Sequence, residues 1–179
     1  MTSAAAAKLL RKLNEEHDAL VRMERKTSTF VVSNLEKAED VRPEYDYADV
    51  QSRLRTIEEQ IRKIRHQINQ FNLTQLVPEF DMTIDQMLVY IPQLTVRKNK
   101  LDHMKNRLPK ERVQSGINRT AGIVEYEYSN YDIKLAEADY ILAADELARA
   151  QNALDQINST VEFEVDAEKI CFPKSGASR

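Results

Sequence analysis

The stretch from residue 47 to residue 72 decides the fold, and it reads YADVQSRLRTIEEQIRKIRHQINQFN. Its apolar side chains recur at alternating spacings of three and four residues: Tyr47, Val50, Leu54, Ile57, Ile61, Ile64, Ile68 and Phe71. An unbroken seven-residue repeat of this kind places all of them on one side of a helix, as in helices that pack like a coiled coil. The stretch therefore predicts a long helix with one buried face.

Three further stretches have the same helical period, at residues 3–26, 84–108 and 133–158. Asp81 or Thr83 is a plausible N-terminal cap for the helix at 84–108, because both side chains can accept hydrogen bonds from free backbone N–H groups. Pro92 lies inside that helix and predicts a kink or a break, because proline removes a backbone donor.

Three short runs are β-branched or alternate between apolar and polar residues, at 29–32, 123–128 and 161–165. Such runs predict strands. The expected fold class is therefore mainly α, with four long helices in a coiled-coil-like antiparallel bundle and a small antiparallel β element of two or three short strands.

An internal repeat aligns the helix at 47–72 with the helix at 133–158 when the chain is shifted by 86 residues. Tyr-Asp precedes both helices and Asn-x-Thr ends both, with Asp46 and Asp132 as predicted N-terminal caps and Asn72 and Asn158 as predicted C-terminal ends.

This repeat predicts a single domain over residues 1–170, built from two related halves at about 1–80 and 81–166. Residues 171–179 are expected to form a flexible tail, because they hold few side chains that could pack.

The charge is small overall but unevenly distributed. The net charge of −3 gives no general attraction to nucleic acid or to an anionic membrane. Residues 97–119 nevertheless carry a net +6, and residues 121–168 carry a net −10. The simplest interpretation is a basic helix beside an acidic one. The basic stretch at 105–112, with Arg119, could instead grip phosphate, but nucleic acid is an unlikely partner on this pattern.

Compartment and chemistry are constrained mainly by what the sequence lacks. The single cysteine, Cys171, cannot form an internal disulfide, and no Cys cluster for zinc is present. We expect a cytoplasmic protein without a membrane span, because there is neither a signal-peptide pattern nor a long uncharged apolar run. No catalytic motif appears, so we expect no catalytic residue, no enzymatic activity, no metal and no cofactor.

One polar constellation lies near the ends of the two repeated helices. Its members are Arg65, His66, Asn69, Asn72, Thr74, Asp155, Asn158 and Thr160. If the helices run side by side, these groups could form a buried polar layer. The favoured interpretation is a hydrogen-bond network that caps the helices and fixes their register. The alternative is a small-ligand or metal-binding site, although one His and one Asp are few ligands for a metal.

Several runs of the sequence resemble the septicolysin-like family of bacterial proteins. They are 68–74 (INQFNLT), 77–84 (VPEFDMTI), 88–94 (LVYIPQL), 125–126 (EY), 130–132 (NYD) and 154–160 (LDQINST). The resemblance spans most of the chain, and it implies a helical bundle with a small β element and oligomerisation. The family name suggests a lytic toxin, but the sequence has no secretion signal and no amphipathic hydrophobic hairpin. The resemblance supplies no site residue.

The sequence therefore predicts a non-enzymatic structural or interaction protein that forms homo-oligomers through long amphipathic helices. One alternative is a small-ligand or metal-binding protein that uses the polar constellation. A membrane-active lytic factor is a further, disfavoured alternative.

Overall fold

A computed structural model describes residues 1–113 and 124–165 of the chain. The helices in this part are α1 (Ser3–Thr27), α2 (Ala38–Val41), α3 (Tyr47–Thr74), α4 (Ile84–Lys105) and α5 (Ile133–Thr160). The strands are β1 (Leu76–Val77), β2 (Met82–Thr83), β3 (Lys110–Arg112) and β4 (Tyr126–Tyr128). Antiparallel pairing joins β1 to β2 and β3 to β4. The mainly α class with a small antiparallel β element is therefore confirmed.

The three predicted strands fare differently. Residues 29–32 form no strand, and the side chain of Val31 is 94% exposed. Residues 161–165 contribute only an isolated antiparallel bridge, between Glu162 and Thr2. At 123–128 the strand covers Tyr126–Tyr128, while Ile123 lies outside the described residues. A strand needs a hydrogen-bonding neighbour as well as β propensity, and residues 29–32 pair with no other strand among the described residues.

Helix α4 passes through Pro92 without interruption, so the predicted break at this residue is wrong. The side chain of Pro92 is exposed, whereas Met87 and Leu94 on either side of it are buried. Burial of this face holds the helix together across the missing donor, and water can reach the carbonyl that the proline leaves unpaired. Of the two predicted caps, Thr83 is the one used: it forms a capping box with Gln86.

The chain divides into two compact units. Within the described residues, the first unit contains Met1–Thr74 and Ile157–Val165. In this unit α1 runs antiparallel to α3. Glu24 near the end of α1 accepts hydrogen bonds from Tyr45, just before α3, and from Gln51 in its first turns. The core of this hairpin consists of Ala6, Leu13, Leu20, Val50, Leu54, Ile57 and Ile64.

The second unit contains Gln75–Gln156. Its helices α4 and α5 are also antiparallel. The Tyr131 hydroxyl at the start of α5 donates to the Met104 carbonyl near the end of α4 at 2.8 Å, and the Tyr90 hydroxyl donates to Glu146. The buried residues of this unit are Val77, Ile84, Met87, Leu94, Ala136, Ala143, Leu147, Ala150 and Leu154.

The 86-residue repeat appears in the structure as two helices of 28 residues each, Tyr47–Thr74 and Ile133–Thr160. The predicted N-terminal caps are confirmed: Asp46 Oδ1 accepts from the Asp49 N–H at 3.1 Å, and Asp132 Oδ1 accepts from the Lys134 N–H at 2.8 Å. The predicted ends at Asn72 and Asn158 are wrong, because each helix continues to the following Thr. A left-handed cap at the Asn is not used.

A second repeat, offset by 81 residues, relates the starts of α1 and α4. Met-Thr precedes each helix as Met1-Thr2 and Met82-Thr83. Thr2 is the N-terminal cap of α1, and Thr83 is the N-terminal cap of α4. Each also forms an antiparallel β pair with the second residue after a 28-residue helix. Thr83 pairs with Leu76, which follows α3, and Thr2 pairs with Glu162, which follows α5. The two units therefore share one plan, in which the segment after a long helix pairs with the residues that start a shorter one.

The repeated helices differ in the size of their buried side chains. At equivalent positions α3 buries Val50, Ile57 and Ile64, and α5 buries Ala136, Ala143 and Ala150. The shorter helices show the opposite difference at one position, where α1 buries Ala6 and α4 buries Met87, while the next equivalent pair is Leu13 and Leu94. At the Ala6/Met87 position the smaller side chain lies on the helix whose neighbour has the larger seam, which suits complementary packing.

Candidate functional site

The polar constellation is not a buried layer. Arg65, His66, Asn69 and Thr74 on α3 are exposed, as are Asp155 and Thr160 on α5, while Asn72 and Asn158 are half-buried. Thr74 Oγ1 donates back to its own helix, to the Gln70 carbonyl at 2.9 Å. Within the described ranges no polar or charged residue is buried. The expectation of burial is thus wrong, and a binding role for these residues stays a prediction.

Metal-ligating side chains do not gather in the part of the chain that the structure describes. No group of three or more His, Cys, Asp or Glu residues there is arranged to hold a metal ion. Cys171 lies outside the described residues.

Two cations of the basic stretch after α4, Arg107 and Lys110, are already engaged by neighbouring side chains. The Lys110 ammonium lies 4.0 Å from the centre of the Tyr126 ring and 5.2 Å from that of Tyr128. Arg107 Nη1 donates to Glu127 Oε1 at 2.7 Å, and this bond raises the pKa of Arg107. These contacts occupy groups that phosphate binding would need. Arg119, the last member of the stretch, lies outside the described residues.

The basic and acidic sequence segments meet in the second unit, where α4 and α5 border an open groove of about 450 Å³. The groove is lined by Arg97, Lys100 and Leu101 from α4 and by Asp139, Leu142, Ala143 and Glu146 from α5. One wall therefore carries two cations and the other wall two carboxylates. We call this surface the charged groove.

The charges of this groove are only partly satisfied within the chain. Glu146 accepts a hydrogen bond from the Tyr90 hydroxyl at 2.5 Å, and that bond, followed by burial, raises the pKa of Tyr90. By contrast, none of the ion pairs formed among residues 1–113 and 124–165 includes Arg97, Lys100 or Asp139. These three groups are available to an oppositely charged partner.

Helices α4 and α5 also carry a second set of apolar side chains outside their buried seams. The exposed large apolar residues are Leu88, Val89 and Val96 on α4 and Leu135, Ile141 and Leu142 on α5. At about 100° per residue, Val96 points away from the seam marked by Leu94, and Leu142 lies beside the charged groove. Among the described residues, α1 exposes no large apolar side chain, and α3 exposes only Tyr47 and Leu73 near its ends.

This second apolar face was missed in the sequence analysis, although the sequence contains its signal. Val89 and Val96 are seven residues apart, as are Leu135 and Leu142, and neither pair belongs to the buried seam of its helix. Two separate seven-residue registers on one helix indicate that it is apolar on two sides.

Comparison with known proteins gives a fold but no activity. No family model matches the chain, and no curated protein matches it. The chain is similar to a solved structure described as a functionally unknown conserved protein from Corynebacterium diphtheriae. The two share 15% sequence identity with a TM-score of 0.55, and the match covers 92% of this chain and 99% of that chain. At this identity the likeness shows the fold alone.

A helix crosses a bilayer only if it is both long and apolar. No helix in the described ranges is both long enough and apolar enough to cross a bilayer.

Proposed function

We propose that this chain is a non-enzymatic structural or interaction protein that self-associates through its long amphipathic helices. The proposal includes a cytoplasmic location and membership of the septicolysin-like family. The observation that carries it is the second apolar face of α4 and α5, which includes Val96 at 69% exposure and Leu142 at 68%.

The physical argument rests on how helices bury apolar surface. A helix with one apolar side is satisfied by one neighbour, as α1 and α3 are in the first unit. A helix that is apolar on two sides leaves one of them in water unless a second neighbour covers it. Exposed apolar side chains that recur on one side of a helix, as Leu135 and Leu142 do, are typical of interaction sites. A copy of the same chain is always present at the concentration of the protein itself, and it is the simplest neighbour.

A ligand or metal site at the polar constellation receives less support. Ligand sites are usually concave and partly shielded from water, and the members of the constellation are exposed or half-buried. No observation in the structure favours the ligand- or metal-binding alternative or the membrane-active lytic alternative.

The proposal is tested by measuring mass in solution. Sedimentation velocity and light scattering over a micromolar concentration range should give a mass above the 20.7 kDa of one chain. Val96→Asp and Leu142→Asp should each lower this mass at a given concentration, because each places a charge on the second apolar face. Val31→Asp is the matched control, since Val31 is exposed but lies in a connection rather than on α4 or α5. A wild-type protein that remains a monomer throughout the range would contradict the proposal.

A further inference from the structure

We infer that the charged groove and the apolar residues beside it dock onto the same surface of a second copy of this chain. The two copies would be related by a two-fold axis parallel to the helices, so that α4 of each copy packs against α5 of the other. Arg97 and Lys100 of one copy then face Asp139 and Glu146 of the partner subunit. This inference rests on the proposed self-association and specifies its surface and symmetry.

Charge complementarity is the first support. The two cations and two carboxylates of the groove sum to zero, so two such surfaces do not repel each other as a whole. No ion pair among the described residues includes Arg97, Lys100 or Asp139. Pairing of these groups across an interface would therefore leave the ion pairs within the described part of each chain intact. A net charge of −3 per chain adds only weak repulsion between copies.

Geometry selects the direction of the axis. Rotation about an axis parallel to the helices keeps every residue at its own height along the helix. Residues that line one groove at the same level therefore stay level with each other across the interface, and the basic wall of one copy meets the acidic wall of the other. An in-plane axis perpendicular to the helices would instead place α4 on α4, with cations opposite cations.

Apolar contacts and area supply the remaining support. Leu101 on α4 and Leu142 on α5 line the two walls of the charged groove, so the same rotation brings apolar side chains from opposite copies together. Helix α4 has 22 residues and is about 33 Å long, and two adjacent helices are about 20 Å wide. The resulting face of roughly 660 Å² approaches the ~800 Å² per partner of a stable complex.

The test uses two oppositely recharged variants of the full chain. Arg97→Glu with Lys100→Glu makes the groove wholly acidic, and Asp139→Lys with Glu146→Lys makes it wholly basic. Each variant alone should self-associate roughly 30-fold more weakly than wild type, because four ion pairs per dimer become repulsive. An equimolar mixture of the two should recover association as a heterodimer, detected by native mass spectrometry.

Two sets of controls keep the result interpretable. Arg55→Glu with Arg62→Glu makes the same change of charge at exposed positions on α3 in the first unit, and its self-association should match that of wild type. Glu146→Lys also removes the bond from Tyr90, so the single variants Lys100→Glu and Asp139→Lys repeat the mixing experiment with that bond intact.

Each outcome bears on a different claim. If wild type is monomeric, the proposed self-association fails and this inference fails with it. If wild type associates but the groove variants behave like the α3 control, self-association stands and the groove surface is refuted. If the variants dissociate and their mixture does not recover association, the two-fold pairing of opposite walls is refuted. Recovery in the mixture supports the inference.

Discussion

Exchanging side chains between equivalent positions of the two repeated helices tests whether each core is packed for its own residue size. Ile64 on α3 and Ala150 on α5 are 86 residues apart and are 1% and 0% exposed. Ile64→Ala should leave a void in the first unit, and Ala150→Ile should overfill the second. If both seams are close-packed, both substitutions lower the free energy of unfolding, although one removes carbon atoms and the other adds them.

The expected sizes follow from the atoms involved. Ile64→Ala removes three carbon atoms, which at about 0.8 kcal/mol each gives a transfer loss of about 2.4 kcal/mol. The cavity that remains adds to this loss, so the total should fall within ~2–5 kcal/mol. Ala150→Ile forces the same three carbons into a filled site, for which a cost of ~1–3 kcal/mol is typical.

Urea unfolding followed by far-ultraviolet circular dichroism measures both changes. With a slope near 2 kcal/mol per molar urea, the midpoint should fall by roughly 1–2.5 M for Ile64→Ala and 0.5–1.5 M for Ala150→Ile. Ala148→Ile on the exposed side of α5 and Leu73→Ala at the exposed end of α3 are matched controls with small expected shifts. If Ala150→Ile shifts the midpoint no more than Ala148→Ile, α5 is not closely packed at this position and the reasoning is refuted.

Three further predictions concern local contacts. Thr83→Ala should cost ~1 kcal/mol of unfolding free energy by urea titration, because it removes the capping box of α4, and an unchanged midpoint would contradict this role. The hydrogen bond that the Tyr45 hydroxyl donates to Glu24 raises the pKa of Tyr45 to about 12. The contribution of this bond to the free energy of unfolding is therefore complete below pH ~10 and disappears as the pH rises through 12. Wild type should therefore lose more stability than Tyr45→Phe between pH 10 and 12, and parallel profiles would rule this out. Phe163→Ala should cost at least ~0.5–1.5 kcal/mol, because its ring stacks on that of Phe71 at 4.5 Å, and a smaller loss would show that the contact is dispensable.

Helix positions could be predicted from the sequence because they depend on a local and strongly periodic signal. The seven-residue repeat locates α3 and α5, and the Asp46 and Asp132 caps follow from hydrogen bonds to residues only two or three positions away. Whether the side chains of the polar constellation are buried depends instead on which face of each helix is covered. Arg65, His66 and Asn69 lie between the seam positions rather than on them, and that fact alone predicts the exposure that the structure shows.

The strands β1, β2 and β3 could not be predicted, because their signals are not periodic, unlike the alternating run that contains β4. β1 and β2 have two residues each, too few for an alternating pattern, and they depend on a turn in which Asp81 adopts φ of 50°. β3 is the polar run Lys-Glu-Arg, which only its pairing with β4 makes a strand. Non-local pairing of this kind is a property of the folded chain and not of the segment.

The placement of large apolar residues in α5 is the strongest reason to expect a partner. The large apolar residues that α3 exposes are Tyr47 and Leu73 near its ends, whereas α5 leaves Leu135, Ile141 and Leu142 at 56–68% exposure and fills three of its buried positions with alanine. Covering a large aliphatic side chain contributes roughly 1.5–3 kcal/mol. The unit that contains α5 leaves most of this stabilisation unused at Leu135 and Leu142, whereas the equivalent positions of α3 hold the polar residues Asp49 and Thr56. A contact that covers Leu135 and Leu142, which lie seven residues apart on one side of α5, would realise it, and a monomer would not.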